Sequence, residues 1–124
     1  MTRLVKAPLA LAVLLGLASL VGCATTQPLD ARELRFAAAP ERTFREAVDL
    51  MIAQGYTIRH ADLALGRAEA SLARWPEYRL LLRVEPAGAA SAVSVSALRG
   101  STPLAPYLLD PWLVELQQRL GEAP

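Results

Sequence analysis

The chain has 124 residues, of which 13 are Lys or Arg and 12 are Asp or Glu, which gives a formal net charge of +1. This near-neutral balance, with the arginines dispersed along the chain, gives no electrostatic basis for binding nucleic acid. A single cysteine excludes an internal disulfide, so packing must stabilise the fold without that help.

The first residues have the layout of a secretory signal peptide. Arg3 and Lys6 precede an apolar run over residues 7–21, which has the length of a signal core and is too short for a comfortable membrane span. The run ends in a Leu-Val-Gly-Cys motif at residues 20–23. We expect residues 1–22 to be a signal peptide that is removed from the mature protein.

The Leu-Val-Gly-Cys motif resembles the lipobox of bacterial lipoproteins. In that family the cysteine sulfur takes a diacylglyceryl thioether, the preceding bond is cleaved, and the new amino terminus is usually acylated as well. The resemblance implies that Cys23 is lipidated, and two or three acyl chains hold a protein durably at a membrane. Gram-negative lipoproteins with aspartate after this cysteine tend to stay in the inner membrane. Ala24 therefore implies the periplasmic face of the outer membrane, or the cell membrane if the source is not Gram-negative.

A short tether follows the cysteine. Residues 24–31 lack periodicity and contain turn-forming residues, so we interpret residues 23–31 as a lipidated amino terminus and tether, and residues 32–124 as one domain. Fully extended at about 3.3–3.6 Å per residue, the tether reaches roughly 25–30 Å. We therefore expect the domain and its partners to lie close to the membrane.

The domain begins with a strand and a helix. Apolar and polar residues alternate over residues 33–38, which is typical of a half-buried strand. Pro40 and Glu41 suit the first turn of a helix, in which apolar residues recur at three- and four-residue steps up to Met51. Gly55 suits the left-handed position that follows a helix.

Four more strands and a second helix follow. Alternation predicts the strands at residues 56–61, 67–72, 78–85 and 93–97. Short turns at residues 62–66 and 86–88 predict hairpins, and therefore an antiparallel meander with one apolar and one polar face.

The second helix closes the chain. Asp110 is a candidate N-cap, Pro111 suits the first turn, and Gly121 follows Leu120 at the end. The order β-α-β-β-β-β-α predicts an α+β fold, in which two helices pack on the apolar face of a single antiparallel sheet.

The region of residues 44–70 has a recognisable pattern. A Gly-Tyr-Thr-Ile segment at residues 55–58 follows the helix, and Asp62, Gly66 and the small Ala68 come after it. The pattern resembles the helix-grip modules of envelope lipoproteins, such as the lipoprotein subunit of the outer-membrane β-barrel assembly machine. The resemblance implies a non-enzymatic accessory or scaffold role, and apart from the lipobox cysteine it carries over no functional residue.

The polar sheet face is the first candidate site for a partner. It has the arginines Arg35, Arg59, Arg67, Arg79 and Arg83 and the carboxylates Glu69 and Glu85. In one interpretation this face binds an anionic glycan, a lipid headgroup or a protein, with Arg59, Arg79 and Arg83 as candidate contacts. In the other it is a solvated face, whose charges pair across strands at a few tenths of a kcal/mol each.

Two apolar features outside the sheet are also candidates for partner binding. Trp75 lies at the tip of a predicted hairpin, where it either anchors an interface or folds back over the sheet edge. Tyr107 lies in an apolar connection over residues 100–110. This connection is either a functional loop or a segment that packs Tyr107 and Leu109 beneath the last helix.

The sequence has no recognisable catalytic or metal-binding constellation. His60 is the only histidine and falls on the predicted apolar face beside Ile58, so we interpret it as a core or edge histidine with one hydrogen bond. A metal site or a catalytic base would need further ligands or a nucleophile. Asp49, Asp62 and Glu69 have nothing to hold them in a shared cleft, so we expect no enzymatic activity, metal or cofactor.

These observations favour a membrane-anchored envelope lipoprotein that acts as a non-enzymatic accessory or scaffold protein at the outer membrane, with an envelope protein as partner. The alternative is a lipoprotein that binds a lipid or a cell-wall fragment in an apolar pocket between the sheet and the helices. Small side chains such as Ala47 and Ala70 leave open whether the interior is closed or hollow. The oligomeric state is open as well.

Overall fold

The computed structural model describes residues 29–122, and the predicted signal peptide, the lipobox and most of the tether lie outside this range. The described elements, in chain order, are β1 (Arg32–Phe36), α1 (Pro40–Ala53), β2 (Thr57–Asp62), β3 (Arg67–Leu72), β4 (Tyr78–Ala87), β5 (Ala90–Arg99), β6 (Thr102–Pro103) and α2 (Asp110–Arg119). A 3-10 helix, Pro106–Leu109, leads into α2.

The strands form one antiparallel sheet in the order β1-β5-β4-β3-β2, with the short β6 paired to β5. Strands β1 and β2 are its two edges, and α1 connects them by crossing one face. Helix α2 packs against α1 and β1 on the same face. The structure therefore confirms the predicted α+β fold with a single sheet and both helices on one side.

The core lies between this face and the helices. Helix α1 buries the side of the helix that carries Phe44, Ala47, Leu50 and Met51, as its periodicity predicts. These side chains belong to one cluster with residues of the strands and α2, of which the largest fully buried members are Phe36, Leu50, Met51, Leu116, Val93 and Val95. The apolar side chains at every third or fourth residue of each helix therefore pack against the apolar side chains at every second residue of the strands.

One polar pair is enclosed in this core. The hydroxyls of Thr43 and Ser91 lie 2.8 Å apart, and Ser91 Oγ donates to the carbonyl oxygen of Ala38 at 3.0 Å. Both side chains are fully buried, so the bonds satisfy groups that water cannot reach. The pair joins the start of α1 to the start of β5.

Two connections between elements differ from those that the sequence predicts. Strand β6 lies within the region expected to be a loop, where Leu98 pairs with Pro103 along the same edge of β5 that β1 occupies. The expected turn at residues 86–88 is also wrong, because β4 continues to Ala87 and Pro86 pairs with Ser91. Proline is tolerated there because β3 ends its pairing with β4 at Arg83, so this part of β4 has a single neighbour.

The expected capping role of Asp110 is wrong as well. Its carboxylate accepts a hydrogen bond from Arg32 Nε at 2.6 Å, and α2 has no side-chain cap. The chain enters α2 directly from the 3-10 helix, and Leu109 before it already has helical φ and ψ angles. A cap needs an extended residue at that position, which this continuous turn does not offer.

Candidate functional site on the open sheet face

Neither described helix covers the second face of the sheet, which we call the open face. Its side chains alternate along the strands with those of the core, and its charged residues are Glu33, Arg35, Arg59, His60, Asp62, Arg67, Glu69, Arg79, Arg83 and Glu85. The polar face that the sequence predicts is therefore present, and it carries all of the arginines expected there.

His60 lies on this open face, which contradicts its predicted place beside Ile58 in the core. Strand β2 pairs Ile58 with Ala70 and then His60 with Glu69, so Arg59 is an extra residue that forms a β-bulge. A bulge shifts the alternation by one position, and every later side chain of the strand changes face. His60 is exposed, and Ala61 takes the core side opposite Ala68.

The open face contains a groove of about 520 Å³, which we call the open-face groove. It is lined by Leu29, Ala31 and Glu33 at one side, by His60, Arg67 and Glu69 at the other, and by Leu81, Arg83, Ser94 and Ser96 between them. The concavity arises because β5 presents two small serines between the longer side chains of β4 and β1.

Two arginines face each other in the groove. Arg67 of β3 and Arg83 of β4 are directly opposite in the pairing register, an arrangement of like charges that destabilises a sheet. Arg83 Nη1 lies 3.5 Å from Glu85 Oε1, whereas Arg67 has no carboxylate within 4.0 Å among residues 29–122. Asp62, the other neighbour of Arg67 in the register, accepts a hydrogen bond from the Leu65 amide at 3.0 Å. The groove thus has a guanidinium that is free to bind an anion.

Arg59 and Arg79 lie together elsewhere on the open face and do not line the groove. Arg59 Nε donates to Ser71 Oγ at 2.9 Å, and Ser71 is opposite Arg79 in the register. Arg79 lies 3.8 Å from Glu69 and 3.5 Å from Glu77, in half-exposed pairs of the kind that contribute little to stability. Of the three arginines singled out from the sequence, Arg83 alone belongs to the groove.

Trp75 and Tyr107 are both exposed, and the structure does not bring them to the groove. Trp75 is 97% exposed in the loop between β3 and β4, so it does not fold back over the sheet edge. Tyr107 is 66% exposed in the 3-10 helix, while Leu109 of the same helix is buried. The expected packing of this connection beneath the last helix therefore holds for Leu109 and fails for Tyr107.

The sequence interpretation missed the apolar part of the groove. Leu81 is half-buried on the open face and pairs with Ser96, and Leu29 comes from the segment read as tether. The available signal was Leu81 itself, an apolar residue at a polar position of an alternating strand.

A smaller cleft of about 310 Å³ lies on the helix side of the sheet. Its lining includes Tyr56, Tyr78, Leu104, Leu108 and Trp112. Burial raises the pKa of Tyr56, the guanidinium of Arg74 opposes this shift, and Tyr78 adds to it. The indole N–H of Trp112 is buried and has no hydrogen-bond partner among the described residues.

Comparison with known proteins adds no relative, since no family model and no curated protein matches this chain. Within residues 29–122, no three His, Cys, Asp or Glu side chains are grouped so that they could hold a metal ion. Neither helix of this region is long and apolar enough to cross a membrane.

Proposed function

We propose that the protein is an envelope lipoprotein, anchored by lipidation of Cys23, that binds a protein partner in the open-face groove and has no enzymatic activity. The observation that supports partner binding is the directly opposed pair of Arg67 and Arg83 on a sheet face that no described helix covers. The lipobox pattern supports the anchor.

The groove has features that suit a protein segment with a carboxylate beside an apolar residue. A carboxylate between Arg67 and Arg83 would relieve their mutual repulsion and gain charge-assisted hydrogen bonds. Leu81 and Leu29 lie in the same groove and offer apolar contact next to the guanidinium groups. Mixed chemistry of this kind favours a peptide segment over a purely anionic ligand.

The positions of the polar groove residues argue against catalysis. His60 on β2 and Ser96 on β5 are three strand spacings apart, about 14 Å at about 4.8 Å per spacing. A base must lie within hydrogen-bond reach of its nucleophile. Ser94 Oγ, the other serine hydroxyl of the groove, donates to Glu33 Oε1 at 3.1 Å.

Site-specific crosslinking in living cells tests the proposed partner site. A photoreactive residue replaces Leu81 in the full-length chain, and the same residue at Val114, which is exposed on α2, is the matched control. We expect one discrete protein adduct from the groove position and none from α2. The adduct should be lost in Arg67→Glu and in Arg83→Glu, and kept in Arg45→Glu, which reverses an exposed arginine of α1. An adduct that survives both groove substitutions would contradict binding in the groove.

A second candidate function is the binding of a small apolar ligand, and the cleft at Trp112 is the observation that favours it. Its lining is mainly apolar and aromatic, which suits a small apolar ligand. Extraction of the purified protein with organic solvent, followed by mass spectrometry, should release a stoichiometric lipid if this function is correct. A Trp112→Phe variant should then retain less of it. An extract without a stoichiometric lipid would contradict this second function.

A further inference from the structure

We call the end of the sheet from whose direction the chain enters β1 the tether end. Strands β2 and β4 begin there and β3 and β5 end there, whereas the first residue of β1, Arg32, pairs with Val95 four residues before the end of β5. The β3–β4 loop at residues 73–77 and the turn at Gly100 therefore share this end. A hydrogen bond of 2.7 Å from the Gly100 amide to the Glu77 carbonyl joins them.

Exposed aromatic and apolar side chains are present at the tether end. Trp75, the most exposed of the large apolar residues, lies in its β3–β4 loop. Leu108 is half-exposed and lines the cleft with Tyr56, which directly precedes β2, and Tyr78, the first residue of β4. Ile52 is exposed in the last turn of α1, the turn that leads to the same end.

Two arginines without a carboxylate partner lie beside this apolar surface. The guanidinium carbons of Arg74 and Arg99 lie 4.6 and 5.9 Å from the centre of the Tyr78 ring. Neither has a carboxylate within 4.0 Å in the described part of the chain, whereas Arg32 of β1 is paired with Asp110. The tether end thus combines an exposed indole with uncompensated guanidinium groups. This combination is favourable at a bilayer interface, because Trp side chains lie at the level of the headgroups and arginine side chains bind lipid phosphates.

The short tether keeps the whole domain close to the membrane. Residues 23–29 span six peptide steps, which reach roughly 20 Å at about 3.3–3.6 Å per step. Arg32 pairs with Val95, and Val95 pairs with Leu82 in the middle of β4, so the chain enters the sheet about midway along its strands. The exposed indole and the unpaired guanidinium groups therefore select the end that faces the membrane.

We propose that the tether end rests on the phospholipid headgroups, with the indole of Trp75 at headgroup level and Arg74 and Arg99 against lipid phosphates. The proposal rests on the lipid anchor of the proposed function. In this orientation the strands run along the membrane normal. The open-face groove then faces parallel to the membrane surface, within reach of a partner at the same membrane.

Quenching of tryptophan fluorescence by brominated phospholipids tests this orientation. The full-length protein is purified from membranes, the mass of its amino-terminal peptide is measured, and it is reconstituted into vesicles of phosphatidylethanolamine and phosphatidylglycerol brominated near the carbonyl. Trp112 is buried, so the difference between the wild type and Trp75→Phe isolates the signal of Trp75. The matched control is an indole introduced by Leu65→Trp in the Trp75→Phe background, at the opposite end of the sheet.

We expect several-fold stronger quenching of Trp75 than of the indole at position 65, and a blue shift of its emission. The double variant Arg74→Gln, Arg99→Gln should show little of the Trp75 quenching that the wild type shows. A lipidated protein in which Trp75 is quenched no more than the control position overturns the orientation and leaves the anchor intact. An unmodified amino-terminal peptide would instead refute the anchor itself.

Discussion

Gly66 shows at the scale of one residue how the turn between β2 and β3 is fixed against β4. Its φ is +65°, and its carbonyl oxygen accepts a hydrogen bond of 2.7 Å from the Val84 amide. A Cβ at this position would overlap the Val84 carbonyl oxygen. Gly88, in the turn between β4 and β5, has the same φ of +65° but nothing near its missing Cβ.

We expect Gly66→Ala to destabilise the fold more than Gly88→Ala does. The left-handed backbone costs each alanine about 1–2 kcal/mol, and the overlap with β4 adds about 1–3 kcal/mol at Gly66. The free energy of unfolding in urea, measured for both variants and the wild type, checks this. Equal losses in the two variants would mean that β4 does not approach Gly66 as closely as described.

The raised pKa of Tyr56 predicts that the folded protein loses stability at alkaline pH. Burial raises its pKa in the folded state, so the folded protein holds the phenolic proton more tightly than the unfolded chain does. The resulting stability is complete below the unfolded pKa of about 10 and is lost as the pH rises through the higher folded value. In urea titrations across this range, Tyr56→Phe should lose less stability than the wild type. Parallel curves for the two proteins would rule out the shift.

At the scale of elements, the bulge in β2 decides which residues reach the groove. Removing Arg59 would leave Ile58 opposite Ala70 and His60 opposite Glu69, so the register of β2 on β3 does not depend on the extra residue. The bulge residue contributes one hydrogen bond, to Ser71.

Deletion of Arg59 should therefore leave the protein folded, at a cost of about 1 kcal/mol for the lost hydrogen bond. Nuclear Overhauser contacts between β2 and β3 should persist on both sides of the deletion. Deletion of Ala70 is the control, because it would turn part of the inner strand β3 by one position and bring a polar residue into the core. Unfolding of the Arg59 deletion would show that the bulge determines the fold.

Particular residues show why the sequence predicts the elements better than the site. Alternation located the five long strands, because each has one buried face and one open face. It failed at His60, because Arg59 and His60 both suit a polar face and nothing in their order indicates a bulge. The groove also needs β1 beside β5 and Arg67 opposite Arg83, and such pairings between distant or separate strands are set by packing and register. Local periodicity cannot provide them.

At the scale of the molecule, three surfaces have separate roles in our account. One sheet face and the two helices form the core, the open face carries the groove with its opposed arginines, and the tether end carries Trp75. We propose that Cys23 links them, since a lipid anchor there would bring the tether end to the bilayer and hold the groove near a partner.

The mass of the amino-terminal peptide, measured on full-length protein expressed in a Gram-negative bacterium, tests this account most directly. We predict a mature chain that begins at Cys23 and carries a diacylglyceryl group and an amide-linked acyl chain. The Cys23→Ala variant should lack both and should not be recovered in the outer membrane. A mature protein with an unmodified Cys23, or one that retains residues 1–22, would contradict the account.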